Sequence, residues 1–156
     1  MVSGRIKHFT SAFGEHVIGK EVETALQKTL QKHPAEVMEF HVAPQVQPKK
    51  GLPYHEWFIE FKKEPKSIHD FALEIDKNMR QQNNYYDDLI SGSVLQPLVL
   101  TKLKPKAFIN FMKSVGKLGG QNKIQRLAND RKIADQLYRY IYAVSYTHLR
   151  AHETST

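Results

Sequence analysis

Hydrophobic and polar positions alternate in two different rhythms along this chain, and the rhythm changes mark its elements. Residues 5–11 (RIKHFTS) alternate around Ile6 and Phe9 and predict a short strand. After a turn at Gly14 and Glu15, residues Ile18, Val22, Ala25, Leu26 and Thr29 recur at helical spacing. Glu21 and Glu23 stand in the first turns of that helix, where acids complement its dipole, and His33-Pro34 ends it. Met38, Phe40 and Val42 point one way from a strand over 36–43. A loop over 44–53, rich in proline, glycine and lysine, leads into the clearest strand, 54–63 (YHEWFIEFKK). There His55, Trp57, Ile59 and Phe61 share a core face, while Tyr54, Glu56, Phe58 and Glu60 share a face expected to be at least partly wet.

Ser67 is a good helix N-cap, with Asp70 three residues on, and Ile68, Phe71, Ala72, Ile75 and Met79 form one core stripe behind it. Tyr85-Tyr86-Asp87-Asp88 and a Ser-Gly-Ser turn follow, and the acid pair reads as turn chemistry. Residues 95–103 predict a strand whose Pro97 implies a sheet edge or a strand start. Pro105 opens a helix that turns Phe108, Phe111, Met112 and Val115 inward. Asn129 or Asp130 caps a final helix running through Ile133, Leu137 and Ile141. The fold class expected is therefore α+β, with a ferredoxin-like split βαβ order (βαββαβ), both long helices on one face of an antiparallel sheet, and C-terminal helices added.

Composition narrows the function classes. At 156 residues the chain amounts to about one domain, with 40% hydrophobic and 25% charged residues. It has no cysteine, which removes disulfides and thiolate metal sites and leans towards a reducing compartment. No apolar run approaches the roughly 20 residues that cross a membrane, and no signal peptide is recognisable, so the expected location is cytoplasmic and no membrane partner is expected. A net charge of +7 makes anionic partners plausible, but the lysines are scattered rather than clustered.

The candidate chemistry lies in Lys117-Leu118-Gly119-Gly120-Gln121-Asn122-Lys123. Two glycines let backbone come close to a ligand, and Lys123 follows two amide side chains, a setting suited to a phosphate or carboxylate. A solvated basic loop that caps a helix has the same composition. His55 belongs to the core face and reads as a packed histidine. His148 and His152 are spaced i, i+4 but have no third ligand, so no metal site is expected. Residues 144–156 change composition abruptly and resemble translated sequencing-adapter read-through, so the domain is expected to occupy 1–143.

Several segments, taken in order, resemble one family. Ser3-Gly4-Arg5-Ile6-Lys7 and Phe13-Gly14-Glu15-His16-Val17 resemble the hinge that precedes the mobile C-terminal domain of adenylate-forming enzymes. The stretch 51–60 (GLPYHEWFIE) is similar to an aromatic strand of the auxin-responsive acyl acid amido synthetases, the Gretchen Hagen family, closest to its bacterial members. Leu73-Glu74, Tyr85-Tyr86-Asp87 and 95–99 continue the pattern, and Gly120-Gln121-Asn122-Lys123-Ile124 resembles that family's Asn-Gln-Tyr-Lys segment.

The resemblance implies an ATP-dependent ligase that adenylates a carboxylic acid and passes the acyl group to an amine such as an amino acid. It implies that this chain is only the smaller C-terminal domain. ATP and Mg2+ would be held mainly by an N-terminal adenylation domain that is the chain's partner, and the fragment alone would be inactive. Lys123 would be the catalytic lysine near the phosphates, with Arg5, Lys7, Gln121 and Asn122 close to the nucleotide. Gln125 stands where the family usually has proline, which is expected to loosen the loop. The rival reading is a small basic ferredoxin-like module for single-stranded RNA or a regulatory partner. It wants exposed aromatics interleaved with cations, whereas Glu56 and Glu60 on the expected wet face would repel phosphate, which argues against nucleic acid.

Overall fold

The computed structural model describes residues 17–116 and 124–141. In order these form α1 (Gly19–Lys32), β1 (Glu36–Gln45), β2 (Tyr54–Lys63), α2 (Ile68–Gln82), α3 (Asn84–Ser91), β3 (Val99–Leu103), α4 (Ala107–Ser114) and α5 (Lys132–Leu137), with a 3-10 turn over Tyr138–Tyr140. The α+β class expected from the sequence is what the chain adopts. The strand expected over 5–11 lies outside the described residues.

Local chemistry explains the boundaries. At the start of α1 the Glu21 carboxylate accepts the Ile18 amide at 3.1 Å, and His33 closes the helix through its amide to the Thr29 carbonyl. Ser67 caps α2 by accepting the Asp70 amide at 3.0 Å, as its sequence position predicts. Asn83 ends α2 and, in the same residue, starts α3 by accepting the Tyr86 amide at 2.9 Å. The stretch 84–91, read as a turn, is thus a helix in its own right. Asp130 accepts the Lys132 amide at the head of α5, and that helix ends at Leu137 rather than continuing to Ile141. Ile141 turns extended instead and bridges back to Leu103.

The sheet order among the described residues is β1-β2-β3. β1 and β2 pair antiparallel, with Val42 opposite Trp57 and Phe40 opposite Ile59. β3 lies directly beside β2 and parallel to it, Leu100 opposite Trp57. The sheet is therefore mixed, where an antiparallel one was expected, and no strand separates β2 from β3 as the split order would require. The reason is the connection: α2 and α3 carry the chain across one face and return it to the starting end, which delivers a parallel neighbour. Pro97 precedes β3, so the strand starts later than expected, and among the described residues it lies at the sheet edge.

Two cores share this sheet. On one face α1 and α2 cover Phe40, Val42, Trp57, Ile59, Phe61 and Leu100, with Phe40 stacked on Trp57 at 5.8 Å. Thr29 and Asn78 hydrogen-bond at 3.0 Å between the two helices. On the other face α4 and α5 cover Ala43, Phe58 and Leu103. Glu56 and Glu60 are consequently buried, at 2% and 5% exposure, which corrects the expectation of a wet face. One further position differs. Register shifts between Val37 and Glu39 push Met38 out to solvent, and Val37 takes the place opposite Phe61.

Candidate functional site

All five residues singled out from the sequence, Arg5, Lys7, Gln121, Asn122 and Lys123, lie outside the described residues. What the structure gives is the frame from which the glycine-lysine loop springs. On its entry side, α4 ends with the Val115 amide on the Phe111 carbonyl at 3.2 Å and the Gly116 amide on Lys113 at 3.0 Å. Gly116 sits at φ +70°, in left-handed backbone that disfavours a side chain, so the helix stops there. On the exit side Ile124 is buried in the second core beside Phe58 and Phe108.

From Ile124 the chain runs along the outer edge of β1. The Val42 amide donates to the Arg126 carbonyl at 2.7 Å, and the Ala128 amide returns to the Val42 carbonyl at 2.9 Å. Leu127 thus pairs with Val42 in a parallel bridge. The Arg126 guanidinium reaches Glu39 at 2.7 Å and Glu23 at 3.3 Å and lies over the Phe40 ring, 5.0 Å from its centroid. Its pKa is raised above the ordinary arginine value, chiefly by the bond to Glu39. Gln125 is tied as well: the His41 Nδ1 meets its carbonyl oxygen at 2.5 Å. The proline-to-glutamine departure therefore does not leave this side of the loop loose, because cross-strand bonds fix Gln125, Arg126 and Ala128.

A polar group of residues gathers around the buried Glu56. Glu56 on β2 accepts the Tyr138 hydroxyl across both carboxylate oxygens, at 2.6 and 2.7 Å, and also the Thr101 hydroxyl from β3. Arg131 brings Nη1 to 3.0 Å from Glu56 and Nη2 to 3.2 Å from the Tyr138 oxygen. Burial by itself would lower the Arg131 pKa, but Glu56 and Tyr138 outweigh it and the group stays firmly charged. Burial and the Glu56 charge push the Tyr138 hydroxyl well up. Nearby, Glu60 accepts the Lys106 amide at 2.8 Å and the Phe108 amide at 3.0 Å, capping α4 with a charge. These contacts hold α4 and α5, the two helices that flank the loop, against one sheet.

The description "GH3 family C-terminal domain" matches residues 20–132, most of the chain. The chain belongs to the GH3 family. No curated protein matches it. Among solved structures, it resembles a GH3.15 acyl acid amido synthetase with a TM-score of 0.60 at 16% identity, covering 80% of this chain and 22% of that one. A second, AtGH3.15 acyl acid amido synthetase in complex with 2,4-DB, gives the same TM-score and identity over 79% of this chain and 24% of that one. At that identity the likeness establishes a shared fold. The chain spans less than a quarter of the length of these relatives.

Other features seen in the sequence have structural roles in the GH3 domain. His55 is buried against Tyr86, ring centroids 5.6 Å apart, as its face predicts. Asp87 lies on α3 and pairs with Arg80 at 2.5 Å rather than standing in a turn. Asp76 takes the Tyr86 hydroxyl at 2.6 Å and the Leu98 amide at 3.2 Å; burial raises its pKa despite these bonds. It lies at the edge of an open cleft of about 500 Å³ that Lys77, Arg80, Asn84 and Pro97 also line. Among the described residues no group of three or more His, Asp or Glu is placed to hold a metal, and no helix is long and apolar enough to cross a membrane. Sequence reading missed His41, Arg131 and Tyr138. A histidine in the middle of an apolar strand was the one available signal.

Proposed function

We propose that this chain is the C-terminal domain of an ATP-dependent acyl acid amido synthetase. The family match over residues 20–132 carries the reading, and both solved relatives are acyl acid amido synthetases. In the proposed reaction a carboxylate oxygen of the acid attacks the α-phosphorus of ATP and pyrophosphate leaves. An amine nitrogen, such as that of an amino acid, then attacks the acyl carbon, loses a proton, and expels AMP.

Lys123 is the residue we assign to the first step. Joining two anions builds negative charge on phosphoryl oxygens, and a positioned ammonium relieves both effects. Support comes from the described chain on either side: α4 is closed at Val115 and Gly116, and the segment from Arg126 to Ala128 is bonded to β1. Gln121 and Asn122 would add hydrogen bonds to the nucleotide, and Arg5 and Lys7 would meet it from the hinge. Among the described residues no group of three or more His, Asp or Glu is placed to hold a magnesium ion. ATP and metal would be bound mainly by the N-terminal domain, in the cytoplasm, and the chain alone would not turn over.

The RNA-binding alternative needs an open sheet face. Helices cover both faces of the described sheet, which favours the ligase reading.

The test uses the full-length parent protein. Acid-dependent release of pyrophosphate, and of AMP when amine is added, is measured across panels of carboxylic acids and amino acids. Lys123→Ala is expected to slow adenylation about a hundredfold, or roughly 3 kcal/mol. Release that survives the substitution removes Lys123 from the mechanism, and silence across the panels overturns the ligase reading.

A further inference from the structure

Asp76 is a buried carboxylate that no cation of the described chain is bonded to. We propose that the cleft it lines binds a small zwitterion, an amino acid or a peptide terminus, with the ligand's ammonium on Asp76 Oδ2 and its carboxylate on Lys77 and Arg80.

The carboxylate is the starting point. Asp76 is 6% exposed and, among the described residues, forms no ion pair. Carboxylates this deeply buried are seldom left without a partner charge, and Glu56 on the other side of the domain has Arg131 at 3.0 Å. Ionised, an aspartate accepts about four hydrogen bonds over its two oxygens. Asp76 accepts from the Tyr86 hydroxyl and the Leu98 amide, and both bonds fall on Oδ1. Oδ2 takes neither, yet it is not sealed in the interior. The enclosed side-chain atoms that lack a partner among the described residues are His41 Nε2 and Arg131 Nη1, and Oδ2 is not one of them. It therefore meets solvent, and the space beside it is the cleft of about 500 Å³. Burial raises the Asp76 pKa, which its two hydrogen bonds and the Arg80 charge only oppose, so a cation brought to Oδ2 relieves a cost the fold already carries.

The surrounding charges select the ligand. Along α2, Arg80 follows Lys77 by three residues and Asp76 by four, so all three reach one side of the helix. Arg80 donates Nε to Asp87 at 2.5 Å and Nη2 to Ser91 at 3.1 Å, which leaves Nη1 for an incoming anion. Lys77 is exposed and makes no ion pair among the described residues. Asp76 and Asp87 balance Lys77 and Arg80, so a ligand of net charge gains little from the cleft as a whole. One with separated charges gains at both ends, through charge-assisted bonds roughly twice as strong as neutral ones. Leu73, 52% exposed, and Pro97 line the same space and offer an apolar wall to an aliphatic side chain.

Glycine and L-leucine are the probes, titrated separately into the full 156-residue chain and followed by nitrogen-15 shifts and calorimetry. L-leucine is expected to bind saturably with a dissociation constant of about 1 mM or below, glycine more weakly, and the shifts to concentrate in α2, α3 and the stretch 97–98. 4-Methylpentanoate lacks the ammonium of leucine and 3-methylbutylamine lacks its carboxylate; each is expected to bind about tenfold more weakly. Asp76→Asn keeps an acceptor for Tyr86 and Leu98 but turns an amide towards the ligand, and should weaken leucine about tenfold. Lys77→Gln changes an exposed residue and should weaken leucine about threefold at an unchanged melting temperature, which keeps the test open even where the Asp76 variant fails to fold.

No saturable shift with either amino acid overturns the proposal, as do shifts centred elsewhere. An amine or acid that binds as well as leucine removes the zwitterion, and full affinity in Asp76→Asn or Lys77→Gln removes the site. Nothing here depends on the ligase reading: silence in the pyrophosphate assay leaves the cleft standing, and an empty cleft leaves the ligase reading standing.

Discussion

Arg131 and Glu56 meet at 3.0 Å between α5 and β2, in a pair whose carboxylate side is almost wholly buried. The carboxylate is also bonded to Thr101 and Tyr138, so three elements converge on one charge. Buried pairs of this kind contribute little over an apolar replacement, but breaking one leaves an uncompensated charge. Glu56→Ala should therefore destabilise the domain by about 3 kcal/mol, since Arg131 loses its partner and two hydroxyls lose their acceptor. The double variant Glu56→Leu with Arg131→Leu should cost clearly less than Glu56→Ala alone. Urea unfolding of the three proteins measures this, and a double variant worse than the single one contradicts it.

Glu60 makes a separate claim. Its two carboxylate oxygens take the amides of Lys106 and Phe108 at the start of α4, and Lys106 stands in left-handed backbone at φ 69°. Helix starts leave amides without partners, and here a strand side chain supplies the acceptors. Glu60→Ala should cost about 2 kcal/mol by stranding the buried Phe108 amide and the part-buried Lys106 amide. Hydrogen exchange should show the loss first at Phe108 and its neighbours in α4; uniform exchange across the domain would contradict a local cap.

Much of this fold was legible in the chain because its elements announce themselves locally. The stripes of α1 and α2, the Ser67 cap and the alternation of β2 depend on neighbours within a few residues, and each appears as the pattern dictates, except that Ile18 stands exposed just before α1. What failed depended on distant partners. Alternation along β2 places Glu56 and Glu60 on one face but cannot say whether helices will cover that face. The mixed sheet follows from where α2 and α3 deliver β3, which no local spacing encodes. The helix over 84–91 is a different case: Asn83 was a readable cap, obscured by the polar run around Tyr85 and Asp87. For the candidate site, composition pointed to the glycine-lysine loop, while His41 and Arg131 acquire meaning only through contacts with residues far away in sequence.

The bulge in β1 yields a sharp contrast between positions two apart. Met38 is 53% exposed, whereas Phe40 is 3% exposed and stacked on Trp57. Strict alternation would give the two the same environment. Met38→Lys should alter stability by no more than about 0.5 kcal/mol. Phe40→Ala should cost about 3–5 kcal/mol through the cavity it leaves. Thermal melts of both variants decide; a Met38→Lys protein as damaged as Phe40→Ala would restore the regular strand.

Acid sensitivity follows from His41. Its burial lowers the folded-state pKa below the ordinary histidine value; the Gln125 carbonyl and Asp130 oppose that shift, and Arg131 reinforces it. The unfolded chain then binds more protons than the folded one over the interval between the two values, so stability rises with pH there. This contribution is complete above the ordinary pKa of about 6.5 and is lost as pH falls towards the folded value. Asp76 acts in the opposite sense at lower pH, because its raised pKa lets the folded state take up a proton before the unfolded one. The two are separable by variant. Urea unfolding at pH 7.5 and 5.5 should show a loss in the wild type that His41→Asn largely removes, since asparagine keeps a donor for Gln125 and does not titrate. An equal loss in both proteins would assign the acid sensitivity elsewhere.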